Sequence, residues 1–301
     1  MHSLIPSCYC PGGGIGRHTS LRGWRRQKRA SSSLVLGTKP CNFCKVFLFL
    51  GKSTSNTMRK VKLTLLLVSA FTGSFAQSAD SFTTPNGKSL RITFIGHGTL
   101  MMEYENLVIH VDPWSKLASY DKLPKADIVL VTHHHADHLD SAALVKVCKV
   151  GTEIYWTQTC SGSSSLKPKS TIMHNGDRLT THGVEISAVP AYNLIHMTPG
   201  GTPFHVKGEG NGYILNFDGF VVYVAGDTED IPEMKGFGRV DIAFLPMNLP
   251  YTMTPEMVHN AATMLHPKIL YPYHYGDTDT NALLNIMKTM PEVDVRIRNL
   301  K

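Results

Sequence analysis

Residues 128–138 read Ile-Val-Leu-Val-Thr-His-His-His-Ala-Asp-His, an apolar run that leads directly into four histidines and an aspartate. A short, fully apolar run is typical of a buried strand. Metal-binding side chains that follow such a strand stand on a rigid base. Imidazole and carboxylate groups without a thiolate suit zinc, and also manganese or iron. The stretch therefore predicts a metal site at a strand end; the alternative is a solvated, histidine-rich loop.

The histidines and the aspartate have the spacing HxHxDH. With this spacing His133 and His135 can face one cation, while Asp137 and His138 face a second. His134 is expected to lie outside the ligand set. The pattern therefore allows either one or two ions.

Two more apolar runs end in ligand-type residues. Residues 220–225 lead into Gly226-Asp227, and residues 269–273 lead into His274. The Asp227 carboxylate could bridge two metals, and His274 could add one imidazole. Each signal is weak alone, but three strand ends of this kind are much more specific together.

Other runs predict the secondary structure. Asp140 and Thr254 are predicted helix N-caps, with Pro255 in the first helical position of the second helix. The predicted strands are 90–94, 100–104, 107–111, 128–131, 213–216, 220–224, 242–245 and 269–271; the predicted helices are 140–149, one from 254 and 279–290; residues 161–165 are predicted as loop. Hairpins punctuated by helices predict one layered α/β domain over residues 77–301.

In sequence order, Asp112, the HxHxDH motif, Asp227 and His274 resemble the metallo-β-lactamase superfamily. Within it, the chain resembles the branch of ascorbate-6-phosphate lactonase and N-acyl-phosphatidylethanolamine phospholipase D type enzymes. The resemblance spans about residues 89–276 and is carried by the segments FIGHGTLMMEY, DPW, THHHADH, AGDTE and YPYHYG. It implies a four-layer αββα sandwich of the α/β class, with the metals in a cleft at one edge of the two sheets.

The resemblance also implies a role for each motif residue. The implied ligands are His133 and His135 for the first metal, Asp137, His138 and His274 for the second, and Asp227 as the bridge. Asp112 would orient the histidine loop from behind the ligands; the alternative is an ordinary turn aspartate before Pro113. His97, in the Gly-His-Gly turn, would line the cleft.

One position departs from the family pattern. The family usually supplies a third histidine to the first metal from the loop that matches residues 189–193, and here that position is Asn193. Because asparagine is a poor zinc ligand, the first site is either weaker or completed by another residue. His205, beyond a Gly/Pro-rich loop that could fold over the site, is expected near the metals; the alternative is an ordinary surface histidine.

Two residues are candidates for holding an anionic group of the substrate. Lys207 follows His205 in a segment that resembles the substrate side of the cleft. Tyr251 precedes the helix that begins after Thr254. The alternatives are a solvated surface lysine and a tyrosine that only packs.

These ligands predict hydrolysis by a water whose pKa one or two divalent ions lower to about 7. Zinc is the first expectation, with manganese or iron as alternatives. Asp137 and Asp227 are the catalytic candidates, and Asp137 could orient the water or shuttle a proton. The expected substrate is a small ester, lactone or phosphodiester. The competing hypothesis is a metal-binding or ligand-binding protein whose site decayed at Asn193.

The formal net charge of +7 combines two unlike regions. Residues 1–76 contain 12 Lys and Arg and no acid, whereas residues 77–301 contain 18 bases and 23 acids. A nucleic-acid-binding protein needs a basic surface on its folded part. The charge distribution therefore favours a small-molecule substrate and excludes nucleic acid as the expected partner.

The basic leader predicts export. Residues 58–76 combine a positive start, a short apolar run and the small residues Ser74 and Ala76, as in a signal peptide cleaved near Gln77. We therefore expect a periplasmic or secreted protein with no stable membrane anchor after cleavage. Residues 1–57 read as spurious upstream translation or a disordered segment, with a basic nucleic-acid-binding arm as the rival. The Cys41-x-x-Cys44 pair is given no metal role because no further ligands accompany it.

Overall fold

Two seven-stranded β-sheets form the centre of the protein in the computed structural model, which describes residues 77–164 and 170–301. The predicted signal peptide, the segment before it and the Cys41-x-x-Cys44 pair lie outside these residues. The first sheet contains, in order, β1 (Ala79–Thr83), β2 (Ser89–Gly96), β3 (Thr99–Tyr104), β4 (Leu107–Val111), β5 (Ile128–Leu130), β6 (Glu153–Trp156) and β7 (Ser170–Ile172). The second contains, in chain order, β8 (Arg178–Thr181), β9 (Val184–Ala191), β10 (Gly210–Phe217), β11 (Phe220–Val224), β12 (Ile242–Pro246), β13 (Ile269–Tyr273) and β14 (Asp294–Val295).

Four α-helices accompany the sheets among the described residues: α1 (Ser141–Val147), α2 (Gln158–Ser163), α3 (Pro255–Leu265) and α4 (Thr280–Ile286). Short 3₁₀ helices cover Tyr120–Lys122, Pro232–Gly236 and Met287–Thr289. The predicted caps are confirmed: the Asp140 side chain accepts from the first amides of α1, and Thr254 caps α3 ahead of Pro255. Within the described part of the chain, no helix combines the length and apolar character needed to cross a membrane.

Three apolar clusters define the layers. The largest lies between the sheets and includes Leu100 and Ile109 of the first sheet and Leu215 and Phe244 of the second. A second cluster packs α3 and α4 on the outer face of the second sheet, and a third packs α1 and α2 on the outer face of the first. Buried apolar area of this kind is the main stabilising contribution to a fold. The predicted αββα sandwich is confirmed.

The two sheets repeat one topology. In each, the first four strands pair antiparallel and the last four pair parallel, so that β4 corresponds to β11 and β5 to β12. Because the carboxyl ends of parallel strands meet at one edge of a sheet, the segments that follow them gather there. This arrangement brings the predicted metal ligands together.

The eight strands predicted from the sequence are present, with small shifts at their ends. Six further strands, β1, β6, β7, β8, β9 and β14, were not predicted, and part of one predicted loop is a helix. Residues 158–163 form α2, so the loop predicted for 161–165 is wrong at 161–163: the Thr157 side chain caps the helix and Cys160 anchors it in the core. Strand β9 was not predicted and contains Pro190. Because β8 pairs with β9 only as far as Ser187, Pro190 lies past that pairing, where its missing N–H leaves no strand partner unsatisfied.

Asp80 of β1 ties the first sheet to the second. Its carboxylate accepts hydrogen bonds from the Tyr271 hydroxyl of β13 and from Arg298 Nη2, the latter at 2.7 Å. Burial alone would raise the pKa of Asp80, but these hydrogen bonds outweigh burial and hold the pKa below its usual value. The carboxylate therefore stabilises the fold in its ionised form.

We expect Asp80→Asn to lower the free energy of unfolding at pH 7 by about 1–3 kcal/mol, the usual worth of hydrogen bonds to a charged group. Because the folded-state pKa is depressed, this contribution is complete above the unfolded-state pKa of about 4 and is lost as the pH falls. Urea unfolding at pH 7 and below pH 4 measures the difference. Asp121→Asn, which breaks an exposed pair with Lys146, is the control and should change little; an equal effect of both variants would contradict the prediction.

Candidate metal centre

The HxHxDH loop is held from behind by Asp112, which follows β4. Asp112 is fully buried; it accepts from the Thr132 amide at 2.8 Å, the Thr132 hydroxyl at 2.6 Å and His138 Nδ1 at 2.8 Å. A carboxylate can only accept these bonds, so the His138 proton lies on Nδ1 and the Nε2 lone pair is free for a ligand. This is the position predicted for Asp112.

Three histidines form what we name the first ligand set: His133, His135 and His205. A ligand nitrogen from each lies within 4.8 Å of the others, and His133 Nε2 is 3.0 Å from His135 Nδ1. Burial and the neighbouring His205 lower the pKa of His135 to about 4, and burial holds the pKa of His133 well below its usual value. Both side chains are therefore neutral at neutral pH, the form that binds a metal.

Asp137, His138 and His274 form the second ligand set. Asp137 Oδ2 is 3.4 Å from His274 Nε2 and 3.7 Å from His138 Nε2. His97 adjoins this set, with its Nε2 3.0 Å from Asp137 Oδ2 and its ring against that of His274. Gly98 leaves room for the His138 ring, because a Cβ at position 98 would lie 2.9 Å from His138 Cε1. His97 thus lies against the second ligand set.

Asp227 lies between the two sets. Its carboxylate oxygens are 3.2 Å from His205 Nε2, 3.6 Å from His138 Nε2 and 3.7 Å from His274 Nε2. Burial would raise the pKa of Asp227, but its electrostatic interactions with the His274 and His138 rings hold that pKa well below its usual range. Gly226, which precedes Asp227, has a positive φ of +66°. A Cβ at position 226 would lie 2.8 Å from the Asn211 carbonyl oxygen, so another residue would not fit there.

Unpaired polar atoms test whether these residues fit a cation. His138 Nε2, His205 Nε2 and Asp227 Oδ1 are buried and have no hydrogen-bond partner among the described residues. Buried polar atoms without partners are rare and costly in folded proteins. Since these three converge between the two ligand sets, and their types are those that zinc, manganese and iron accept, the cluster fits a divalent metal.

His205 completes a set of three histidines with His133 and His135, and Asn193 supports it. His205 Nδ1 donates to Asn193 Oδ1 at 2.6 Å, which leaves Nε2 directed at the cluster. The amide orientation follows from its partners, because Asn193 Nδ2 faces two acceptors: Glu229 Oε1 at 3.0 Å and the Tyr251 carbonyl at 2.9 Å. Asn193 is thus placed to orient His205, which weakens the argument for a site that decayed at Asn193.

Glu229 fixes this whole segment and was missed by sequence reasoning. Its fully buried carboxylate accepts from the amides of Leu194, Ile195 and His196 at 2.6–2.7 Å, and from His196 Nδ1 at 2.6 Å. Burial would raise the pKa of Glu229, but these hydrogen bonds lower it. The residue belongs to the AGDTE segment, and its position two residues after the bridging aspartate was the signal available in the sequence.

The two substrate-binding candidates lie farther from the ligands. Lys207 Nζ donates to Glu233 at 2.7 Å and to the Tyr192 hydroxyl at 3.2 Å, so its charge is already paired. Tyr251 is exposed, and its ring packs edge-on against Phe204 at 5.0 Å. His134 belongs to neither ligand set, as predicted.

Known proteins are similar to this chain in sequence and in fold. Residues 91–274 match the family described as Beta-lactamase superfamily domain. The UPF0173 metal-dependent hydrolase of Pelotomaculum thermopropionicum is 30% identical over 194 residues, covering 62% of this chain and 85% of the relative. A crystal structure assigned as a metal-dependent hydrolase from Parabacteroides distasonis is 49% identical with a TM-score of 0.71, covering 75% of this chain and 100% of that one. Igni18, a metallo hydrolase from Ignicoccus hospitalis, is 25% identical with a TM-score of 0.59, covering 70% and 95%.

With this fold and this His/Asp cluster, the chain belongs to the metallo-β-lactamase superfamily. Within the superfamily it is a member of the UPF0173 metal-dependent hydrolase family. The predicted metal-dependent hydrolase is thereby confirmed. The finer resemblance to the lactonase and phospholipase D branch stays a prediction, as do the individual ligand roles.

We expect Glu229→Gln to weaken metal binding about 10- to 100-fold, as is usual when a group that orients a ligand is lost. The amide would present N–H groups to backbone donors, so Asn193 and His205 would shift. Competition with a chromophoric chelator measures the affinity, and circular dichroism checks the fold. Glu233→Gln, a partly exposed carboxylate four residues away, is the matched control. Unchanged affinity in folded Glu229→Gln would refute the positioning role.

Proposed function

We propose that the protein is a dinuclear hydrolase of a small ester, lactone or phosphodiester. The observation that carries the proposal is the Asp227 carboxylate, which lies between two complete sets of three side chains. One cation held by each set would share this carboxylate, and two-metal sites of this kind are common in hydrolytic enzymes. Zinc is the proposed ion, with manganese or iron as the alternatives.

The residues of the chain have distinct tasks in this reaction. A divalent ion, when bound, would lower the pKa of the attacking water and would stabilise developing negative charge on the substrate. Asp137 is partly exposed, whereas the other two carboxylates of the centre, Asp112 and Asp227, are buried. The Asp137 carboxylate is the candidate to take a proton from the attacking water and to return it to the leaving oxygen. His97 Nε2, at 3.0 Å, orients that carboxylate.

The recess beside the first ligand set is narrow. It is lined by His133, His135, His205, Phe204 and Val206, among others, and its volume of about 10 Å³ is room for about one water molecule. Pockets for drug-sized ligands are usually of about 300–1,000 Å³. The recess therefore admits water or the reacting group of a substrate, and the proposed substrate class rests on the family resemblance, because one fold hosts many reactions.

We expect Asp137→Ala and His138→Ala each to abolish turnover while the fold is retained. Both remove a group from the second ligand set, and catalytic metal sites tolerate such losses poorly. Turnover is measured on lactones, chromogenic esters and bis-p-nitrophenyl phosphate, and bound metal is counted by mass spectrometry, with two ions per chain expected.

His174→Ala, which removes an exposed histidine, is the control and should keep full activity. Retained activity in both site variants would refute the site. A metal-loaded wild-type protein inactive on the whole panel would refute the proposed substrates. One bound ion with full activity would refute the dinuclear arrangement.

We propose that the protein is exported to the periplasm or secreted, on the basis of residues 58–76. The native protein is then expected to begin near Gln77, because signal peptidase cleaves after small residues such as Ala76. Intact-mass measurement and N-terminal sequencing of protein from its own host test this. A product that carries residues 1–57 would contradict both the cleavage and the assignment of that stretch as untranslated.

A further inference from the structure

Residues 193–205 form a short hairpin beside the metal centre, which we name the flap. Its limbs are joined by hydrogen bonds from the Asn193 amide to the His205 carbonyl at 2.9 Å and from the Thr198 amide to the Thr202 carbonyl at 2.7 Å. The base of the flap holds His205 and Asn193, so the flap is continuous with the first ligand set. The buried Glu229 carboxylate fixes one limb.

The flap and the loop opposite carry an unusual concentration of exposed apolar side chains. Eight large hydrophobic residues are exposed among those described, and five of them lie here: Leu194, Ile195, Met197, Leu249 and Tyr251. We name these five the apolar rim. Single exposed hydrophobic residues are ordinary, but a group of them beside a cleft marks a binding surface.

Two contacts connect the apolar rim to the site. The Tyr251 ring packs against Phe204, and Phe204 lines the recess together with His205 and Asp227. Asn193 Nδ2 also donates to the Tyr251 carbonyl, so the residue that orients His205 also holds the opposite loop. The rim is therefore positioned by the same hydrogen bonds as the ligands.

The charge around the rim argues against an anionic occupant. Lys207, the cationic side chain two residues after His205, is paired with Glu233. The flap itself contains no Lys or Arg. The flap offers a negatively charged chain or headgroup no lysine or arginine, whereas an apolar chain would bury hydrocarbon against the apolar rim.

We infer that the substrate is a neutral ester or lactone whose acyl chain or aromatic group packs on the apolar rim. This inference rests on the proposed function and narrows its substrate class. The water oxygen bonds to the acyl carbon, the bond from that carbon to the leaving oxygen breaks, and a proton passes through Asp137 to the leaving oxygen. The rim binds the part of the substrate that does not react.

The test is a series of p-nitrophenyl esters from acetate to hexanoate, assayed with the metal-loaded protein. We expect kcat/KM to rise about two- to fourfold per added CH₂, the range for partial to full burial of a methylene. Ile195→Ser and Tyr251→Ser should flatten this rise, because each removes apolar surface from the rim. The ratio of hexanoate to acetate turnover is the readout, since loss of metal alone would lower both rates together.

Val145→Ser is the matched control, because Val145 is 63% exposed on α1 and Ile195 is 69% exposed on the flap. It should leave the ratio unchanged. A flat chain-length profile in the wild type, or turnover of phosphodiesters alone, would overturn the inference and leave the proposed function standing. Inactivity on the whole panel would overturn both.

Two other occupants of the rim are decided by the same variants. Sedimentation with phosphatidylglycerol vesicles that Ile195→Ser abolishes would assign the rim to a lipid surface. Dimerisation in light scattering that Ile195→Ser abolishes would assign it to a second copy of the chain. Either result would overturn the inference, which expects that the protein neither dimerises nor binds vesicles through the apolar rim.

Discussion

The buried carboxylate of Asp112 is the group on which the metal centre depends. It accepts three hydrogen bonds from Thr132 and His138, and those bonds join the end of β4 to the loop that follows β5. A buried charge is tolerated only when it is well paired. In the conformation that meets this demand, His138 Nε2 points at the cleft. The requirement to satisfy one carboxylate thus becomes the geometry of the ligands.

The same principle extends the centre to its other side. Glu229 is buried, and its carboxylate accepts hydrogen bonds from consecutive amides of the flap. Glu229 also fixes the Asn193 side chain, and Asn193 in turn orients the His205 ring. Asp227, by contrast, keeps an oxygen without a hydrogen-bond partner among the described residues. The supporting carboxylates are fully paired and the central one is not. His138 Nε2, His205 Nε2 and Asp227 Oδ1 thus lie close together without hydrogen-bond partners, and a bound cation there would pair with them and would stabilise the fold by an amount that grows with the logarithm of its affinity.

The sequence predicted the parts of this centre that follow strands. The HxHxDH loop, Asp227 and His274 each come after an apolar run. The runs form strands of the parallel part of each sheet, whose carboxyl ends lie at one edge of that sheet. His205 and Glu229 were harder, because their partners lie 12 to 36 residues away in loops with no periodic pattern. Strand β9 escaped because Pro190 argues against a strand unless its place relative to β8 is known. Helix α2 escaped because its Ser/Gly composition favours a loop, and only burial of Cys160 decides otherwise.

The repeated topology of the two sheets has a consequence for how duties are divided. Asp112 follows β4 and Asp227 follows the corresponding strand β11; His97 lies between β2 and β3, and His205 between the corresponding strands β9 and β10. Each half of the chain thus offers a carboxylate and an imidazole from corresponding positions, yet Asp112 supports the histidine loop from behind while Asp227 faces both ligand sets. Neither half possesses a whole centre. An ion held here would link the two similar halves, so the reaction would require that the halves are packed together correctly.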